Sequence, residues 1–431
     1  MTAGVAAQRR ERHTAFTPPK GGCGTCNERG GTVAAMPPPG NDLIRRPRTR
    51  IAPTGASAPP GAALGDRLTE LLAAAAAPAG PVLHPGEGPI AGTYVPATPG
   101  TVRWGVLPGR DAAPVATVAS GGLVTMDTVS HEGILEEQGR DPVAWFGRYG
   151  VPASDVLLDA VELAGSRLAR RTGAGPHVVV GPVSVAGARP GDVLPRGRSK
   201  VELCSLTPRV PYGVISDRDG TRAPAVSAFS PLRSCRGGPA GELAVGPRRV
   251  RYPLAPFLGV AGVTCNSARE LSSVTPTPAG GNLGVGELVA GTTLYLPVLI
   301  PGAGLFAGDP HFGRHGAASM EAPLRVTMRV SVLPRGSGGI PGGRGRIDRP
   351  LGETPTHWLP VGLPTPGGDL GEAMRDAVGQ AVGLLVAQDG MGRAEAHTYL
   401  TETAELTAVV AADGTAGIHA RVPKRRAARP R

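Results

Sequence analysis

Aromatic residues are scarce in this sequence, since phenylalanine, tryptophan and tyrosine together make up only 3% of its 431 residues. A buried core must therefore consist mainly of Val, Leu, Ala and Ile side chains. Hydrophobic residues still reach 41%, which argues against a chain that is disordered throughout. The scarcity also counts against specific binding of single-stranded nucleic acid, because such proteins stack bases on aromatic side chains.

Cysteines and long apolar runs are also few. The five cysteines are an odd, scattered set that does not indicate a disulfide framework. No run approaches the roughly 18 apolar residues that a membrane-spanning helix requires. The apolar stretch at 68–80 lies too far along the chain for a signal peptide and favours a short helix. We therefore expect a cytoplasmic protein without a membrane partner.

Lysine and arginine outnumber acidic residues mainly at the two ends of the chain, and this accounts for the net charge of +11. Residues 1–50 and the last residues from 421 onward are strongly basic, whereas the stretch between them is close to neutral. Basic tails attract nucleic acid or acidic lipid without specificity. We expect a disordered Pro/Gly-rich leader at 1–62, one domain at 63–423, a basic tail at 424–431, and no specific nucleic-acid partner.

Glycine and proline are abundant, with 65 and 46 residues, and they divide the domain into short segments. Short apolar runs that alternate and end at Gly or Pro, as at 101–108 and 176–195, are typical of strands and turns. Asp-Gly between two alternating runs predicts a hairpin over 405–423. We predict a mainly β fold with sandwich-like or barrel-like sheets and a few peripheral helices; an α+β arrangement is the alternative.

Three segments have helical spacing. Residues 154–171 begin with Ser154 as a candidate cap and end in basic residues that suit a helix C-terminus. Residues 368–388 form an amphipathic pattern, and a further helix is expected to begin near 392. The segment 335–350 is expected to be a loop.

Two polar clusters are candidates for chemistry. Asp309 and His311 are two residues apart in a strand-like segment, so their side chains are expected to face one side. Asp127 and His131, followed by Glu132, form the second cluster. In a purely structural interpretation Asp309 caps a turn, His311 packs in the core and Asp127 orders the turn that follows it. His357, His397 and His419 have no partner cluster and are expected to be surface or packing residues.

Six segments, taken in order and with their spacing, resemble the acetamidase/formamidase family. They are DTVSHEGILEEQGRDPVAWFG (127–147), VVGPVSVAGARPGDVL (179–194), TPRVPYGVIS (207–216), GGN (280–282), VAGTTLYLPVLIPGAGLFAGDPHF (289–312) and THWLPVGL (356–363). The resemblance extends from about Gly86 to Pro423 and leaves out the leader and the tail.

The resemblance implies a homo-oligomeric, mainly β hydrolase that releases ammonia and a carboxylate from small linear amides such as formamide or acetamide. It also implies a divalent metal cofactor, with zinc as the candidate, because zinc accepts nitrogen and oxygen ligands. The metal ligands expected from it are Asp309, His311, Asp127 and His131. His177 matches a histidine of the family pattern and is expected to be mainly structural.

The sequence departs from the family where acids are usual. After Gly-Asp-x-His the family continues with Gln-Gly-Asp-Gly-Glu, whereas this chain is shorter and has Arg314 and His315. Glu321 is interpreted as part of the following strand rather than as a replacement acid. Asp219 stands where the family has a histidine.

Three residues are therefore candidates for catalysis. His315 is a candidate proton carrier, Asp219 a substitute for the lost histidine, and Asn282 a residue that positions its loop. Backbone N–H groups of the Gly280–Asn282 turn are candidates to stabilise an oxyanion. Two other functions stay open: a degenerate member that binds a small ligand without turnover, and a hydrolase of a lactam or ureide.

Overall fold

The computed structural model describes residues 81–190, 198–217, 226–235, 238–313, 320–333, 341, 348–365, 368–410 and 416–425. The predicted leader, the predicted helix at 68–80 and most of the predicted loop at 335–350 lie outside the described residues. Most of the basic tail lies outside them as well.

The described strands form two sheets, of which the first has nine strands. Its order is β1 (Thr93–Val95), β4 (Gly122–Asp127), β17 (Leu324–Leu333), β6 (Arg198–Pro208), β14 (Thr293–Pro297), β18 (Leu351–Glu353), β19 (His357–Gly362), β21 (Ala416–Pro423) and β20 (Glu405–Val410). Only β1 and β4 pair in parallel within this order; every other neighbouring pair is antiparallel.

The second sheet has twelve strands. Its order is β10 (Arg248–Pro253), β9 (Gly238–Val245), β8 (Val226–Cys235), β7 (Tyr212–Asp217), β16 (Met320–Glu321), β15 (Leu305–His311), β11 (Phe257–Val263), β13 (Gly280–Asn282) and β12 (Pro276–Thr277). A branch consists of β5 (Val178–Val185), which pairs with β15 and also with β2 (Val102–Trp104) and β3 (Ala116–Val118).

The largest apolar cluster draws side chains from both sheets. Val124 and Met126 of β4 belong to it, together with Val178, Val180 and Val183 of β5. Each of these side chains is at most 1% exposed. β-Branched residues suit a pleated, buried surface, so a core with few aromatic rings can still be closely packed. The prediction of a mainly β fold with a few helices is confirmed.

The described part of the chain contains four α-helices and two short 3₁₀ turns. The helices are α1 (Pro142–Gly147), α2 (Leu158–Gly165), α3 (Leu370–Asp389) and α4 (Arg393–Thr403). The 3₁₀ turns are Glu136–Gln138 and Ala153–Asp155. Asp369 caps α3 by accepting a hydrogen bond from the Glu372 N–H at 2.8 Å, and Gly390 ends the helix with a φ of 67°. The predictions for α3 and α4 are confirmed.

Helix α2 is shorter than the predicted 154–171, and Ser154 is not its cap. Ser154 lies in a 3₁₀ turn, and the helix begins after Leu157 without a side-chain cap. Its end is determined by Arg140, whose guanidinium donates to four backbone carbonyl groups of this region. They are the carbonyls of Leu163, Ala164, Ser166 and Leu168. These hydrogen bonds satisfy carbonyls at the helix end, where the helix itself offers no donor.

The predicted C-terminal hairpin is present as the antiparallel pair β20–β21, although residues 411–415 between the strands lie outside the described residues. Among the described helices, none combines the length and apolar character needed to cross a membrane.

Candidate metal centre

Four chain segments, of which β15 is one, meet at a single site. His177 directly precedes β5, which pairs with β15 through Val179 and Gly308. Glu321 of β16 lies directly opposite His311 at the end of β15. The fourth segment is the loop after β4, which carries Ser130, His131 and Glu132. The sheet pairing therefore brings together side chains that are up to 191 positions apart in the sequence.

Asp309 and His311 face the same site, as their spacing predicts. The His311 Nε2 and Asp309 Oδ2 atoms are 3.0 Å apart. Asp309 has a φ of 52°, in the left-handed region that residues other than glycine seldom occupy. Such backbone strain is concentrated at functional sites.

The neighbouring strand leaves room for this pair only because its residue there is Gly259. A Cβ atom at that position would overlap the Asp309 Oδ2 atom and would lie 2.9 Å from His311 Nε2. Val260 and Leu258 flank Gly259 and pair with Gly308 and Pro310, so Gly259 is level with Asp309. The site therefore requires glycine at position 259.

Asp309 lies between two imidazoles. Its Oδ1 atom is 3.4 Å from His177 Nε2, while its Oδ2 atom contacts His311. Burial would raise the pKa of Asp309, but His177, His311 and His131 outweigh it and hold this pKa well below its usual range. Asp309 is therefore a carboxylate, the form in which it can bind a cation.

Glu321 completes the arrangement, although the sequence analysis placed it in a strand outside the site. One of its oxygens is 3.5 Å from His311 Nδ1, and the other is 3.7 Å from His131 Nδ1. The Ser130 hydroxyl donates to Glu321 Oε2 at 3.1 Å. Burial, and then the negative charge of Asp309, raise the pKa of Glu321 well above its usual value. The sequence signal that could have identified Glu321 is a single acid in the otherwise apolar run MEAPL, because an apolar run predicts burial and a buried acid needs a partner.

His131, Asp309 and Glu321 together form a group that could hold a metal ion. One donor atom from each residue lies within 4.8 Å of the other two, and all three residues are buried. One imidazole and two carboxylates are a donor set that zinc and similar divalent ions accept. The buried Asp309 Oδ1 atom makes no hydrogen bond within the described part of the chain, so it is available to a cation. The residues therefore fit the metal that the resemblance implies.

Structural comparison finds the same architecture in three solved structures. Acetamidase from Bacillus halodurans matches with a TM-score of 0.54 and 19% identity, over 77% of this chain and 97% of that one. Acetamidase from Yersinia enterocolitica matches with a TM-score of 0.55 and 21% identity, over 80% and 94%. A predicted acetamidase/formamidase from Thermoanaerobacter tengcongensis matches with a TM-score of 0.55 and 17% identity, over 77% and 95%.

This chain has the acetamidase/formamidase fold. The resemblance found in the sequence is thus confirmed by the architecture, and the identities of about one residue in five limit the statement to the fold. No protein-family model and no curated protein matches the sequence.

Within the acetamidase/formamidase fold, Asp127 belongs to a different network from His131. The Arg325 guanidinium donates to both Asp127 oxygens, at 2.6 and 2.9 Å, and Arg209 lies 3.4 Å from Oδ2. The Tyr94 hydroxyl donates to Oδ2 as well, at 2.7 Å. Asp127 is thus surrounded by donors, and it is not part of the group around Asp309.

Asn282 lies in strand β13 rather than in the turn that the sequence predicted. Its side-chain amide donates to the Val274 carbonyl and its backbone N–H to the Thr275 carbonyl, both at 3.4 Å. That N–H therefore has a partner inside the protein. The other two predicted catalytic residues, His315 and Asp219, lie outside the described residues.

The three histidines that were expected to be surface or packing residues lie on elements that do not contribute to the metal group. His397 is exposed on α4 and His357 is half-buried on β19. His419 is buried on β21, with its Nε2 atom 3.0 Å from Glu287 Oε2. His419 is therefore a buried histidine beside a carboxyl group, consistent with the expected packing role.

Proposed function

We propose that this chain hydrolyses the carbon–nitrogen bond of small linear amides such as formamide or acetamide, releasing ammonia and a carboxylate. The observation that carries the proposal is the buried group of His131, Asp309 and Glu321 in a chain with the acetamidase/formamidase fold. The three similar structures are themselves described as acetamidases or as a predicted acetamidase/formamidase.

Under this proposal His131, Asp309 and Glu321 hold a divalent metal ion. When bound, such an ion polarises an amide carbonyl and lowers the pKa of an attacking water. His311 is assigned as the proton carrier rather than as a ligand, because it is not one of the three residues whose donor atoms all lie within 4.8 Å of one another. Asp127 is left out of the ligand set because Arg325 and Arg209 already neutralise it.

His311 is well placed to move a proton. Its ring stacks on Phe257, with the ring centroids 4.9 Å apart and an interplanar angle of 19°. Asp309 fixes one ring nitrogen, so Nδ1 remains to take a proton from the attacking water. His311 then passes that proton to the leaving nitrogen as the carbon–nitrogen bond breaks, and the nitrogen departs as ammonia.

Burial favours small substrates. The residues of the site are buried. None of them is more than 7% exposed, as the values for His131, Asp309, His311 and Glu321 show. A closed site of this kind excludes bulk water and strengthens its electrostatic interactions. Glu321 also supplies a carboxyl group beside His311, whereas the acids that follow Gly-Asp-x-His in the family are missing from this sequence.

The test is ammonia release from formamide and acetamide by the purified full chain, with bound metal quantified on the same sample. We expect turnover with both substrates, and loss of metal and activity together in Asp309→Asn. Glu136→Gln, at an exposed position, is the control and should behave like the unaltered chain.

Two outcomes would contradict the proposal. A folded, metal-loaded chain that releases no ammonia from either amide would favour the non-catalytic binding function. Ammonia from a lactam or ureide but not from formamide or acetamide would favour the other hydrolytic function. The homo-oligomeric state and cytoplasmic location remain predictions, and light scattering of the same sample tests the first.

A further inference from the structure

We propose that Glu132 is a positioning residue that orients His131, and that Gln138 and Ser216 hold Glu132 in place. This inference rests on the proposed metal site of His131, Asp309 and Glu321. It starts from the two ring nitrogens of His131, which face different carboxylates. Nδ1 lies 3.7 Å from Glu321 Oε2, and Nε2 lies 3.6 Å from Glu132 Oε1.

Both carboxylate oxygens of Glu132 accept a hydrogen bond from a neutral side chain. The Ser216 hydroxyl donates to Oε1 and the Gln138 amide nitrogen donates to Oε2, each at 2.7 Å. Glu132 is only 2% exposed. Two short hydrogen bonds on opposite oxygens fix both the position and the plane of this carboxylate.

The two donors are themselves held in the orientation that Glu132 requires. The Gly133 backbone N–H donates to Gln138 Oε1 at 2.6 Å, so the amide nitrogen of Gln138 must face Glu132. Ser216 of β7 lies opposite Ser227 of β8, and their hydroxyl oxygens are 3.0 Å apart. The carboxylate is therefore supported from a loop on one side and from a strand pair on the other.

A metal-binding imidazole is oriented by an acceptor for its other ring N–H, and this acceptor also determines which ring nitrogen carries the proton. Glu132 occupies that place beside His131. Its charge beside Nε2 favours the proton on that nitrogen, which leaves Nδ1 facing Glu321, another of the proposed ligands. Glu132, Gln138 and Ser216 thus act through His131 rather than on the substrate.

The test uses the full chain and Co²⁺ alone, with affinity and visible absorption spectrum recorded in one titration and Zn²⁺ affinity measured by chelator competition. Glu132→Gln should bind both ions about 10–100-fold more weakly, with an altered cobalt spectrum. Glu136→Gln removes an exposed carboxylate four residues away and should match the unaltered chain. Unchanged affinity and spectrum in Glu132→Gln would overturn the inference.

A second pair of variants decides the matter if Glu132→Gln does not fold. Ser216→Ala removes one hydrogen bond to Glu132 and should weaken Co²⁺ binding, whereas Ser216→Thr keeps the hydroxyl and should restore it. Unaltered affinity in Ser216→Ala would overturn the inference. Equal weakening in Ser216→Thr would attribute the effect to packing and would overturn it too.

The proposed function and this inference are separated by the unaltered chain. If that chain binds neither ion, the metal site itself is wrong and both fail. If it binds the ions, the ratio between variant and unaltered chain tests the role of Glu132 alone.

Discussion

His311 and Glu321 face each other across the antiparallel pair β15–β16, with His311 Nδ1 3.5 Å from Glu321 Oε1. The sequence between them includes residues 314–319, outside the described part of the chain, so the pairing is visible only in the fold.

Replacing Glu321 with Gln removes one proposed ligand while keeping the shape of the side chain. We expect metal content to fall and amide hydrolysis to drop by about 10²-fold or more, because the carbonyl is no longer polarised by the ion. Metal analysis and ammonia release are measured together. Glu202→Gln, a half-buried strand residue paired with Lys200, is the control. Full metal content in Glu321→Gln would remove Glu321 from the ligand set.

His311→Ala should separate proton transfer from metal binding. We expect kcat to fall by about 10²–10⁴-fold, the usual cost of a lost general acid or base, while metal content stays near that of the unaltered chain. The matched control is His397→Ala, because His397 is exposed on α4. If His311→Ala loses the metal as completely as Asp309→Asn does, His311 is a ligand and its assignment as proton carrier is wrong.

Gly259→Ala should damage the site from the neighbouring strand. The added methyl group would overlap Asp309 Oδ2, and such overpacking typically costs about 1–3 kcal/mol. We expect weaker metal binding together with a lower free energy of unfolding. Gly379→Ala on α3 is the control, because a Cβ there meets nothing within 4 Å and alanine favours a helix by about 1 kcal/mol. Normal metal affinity in Gly259→Ala would show that the close approach is not a requirement.

Asp127→Asn tests whether the network around Asp127 is structural. Removing the charge leaves the buried Arg325 guanidinium without this carboxylate partner and Arg209 with Asp159 alone, and breaking a buried ion pair costs about 3–5 kcal/mol. We expect denaturant unfolding to show this loss, while metal stoichiometry in the folded protein stays unchanged. Loss of metal without loss of stability would return Asp127 to the ligand set.

Acidification should reveal the contacts that Glu287 makes with His419 and Arg421. Burial would raise the pKa of Glu287, but His419 and Arg421 lower it below its ordinary value of 4.5. A depressed carboxyl pKa contributes stability above the unfolded-state value, and this contribution is lost as the pH falls through the folded-state pKa. The unaltered chain should exceed Glu287→Gln in stability at neutral pH, and the difference should shrink below pH 4.5.

Denaturant unfolding of both proteins across this pH range is the measurement. Glu402→Gln, at an exposed position on α4, should show no such pH-dependent difference. A constant difference between the unaltered chain and Glu287→Gln at all pH values would contradict the assignment.

Local signals predicted some elements well. Helix α3 has its cap at Asp369 and its terminating glycine at Gly390, so its bounds were recoverable from the sequence around it. Helix α2 was overestimated because Arg140, which lies before the helix in sequence, satisfies the carbonyls at its end. A local pattern contains no information on a donor that arrives from outside the helix.

The same distinction applies to the site. Asp309 and His311 were found because a spacing of two in a strand is a local pattern. Glu321 was missed because its partner His311 is brought opposite it only by sheet pairing. Asp127 was grouped with His131 in the sequence, whereas in the structure it contacts arginines that come from positions 209 and 325. The role of a buried carboxylate depends on its contact partners, and these come from positions that are distant in the sequence.

The proposed ligands come from both sheets, since His131 follows β4 of the nine-stranded sheet while Asp309 and Glu321 belong to the twelve-stranded one. An ion held by all three would link the loop after β4 to strands β15 and β16, so its binding would also stabilise the folded chain. At a free ion concentration a thousand times the dissociation constant, this linkage amounts to about 4 kcal/mol of folding free energy. Starvation for metal would then reduce the abundance of the protein as well as its turnover.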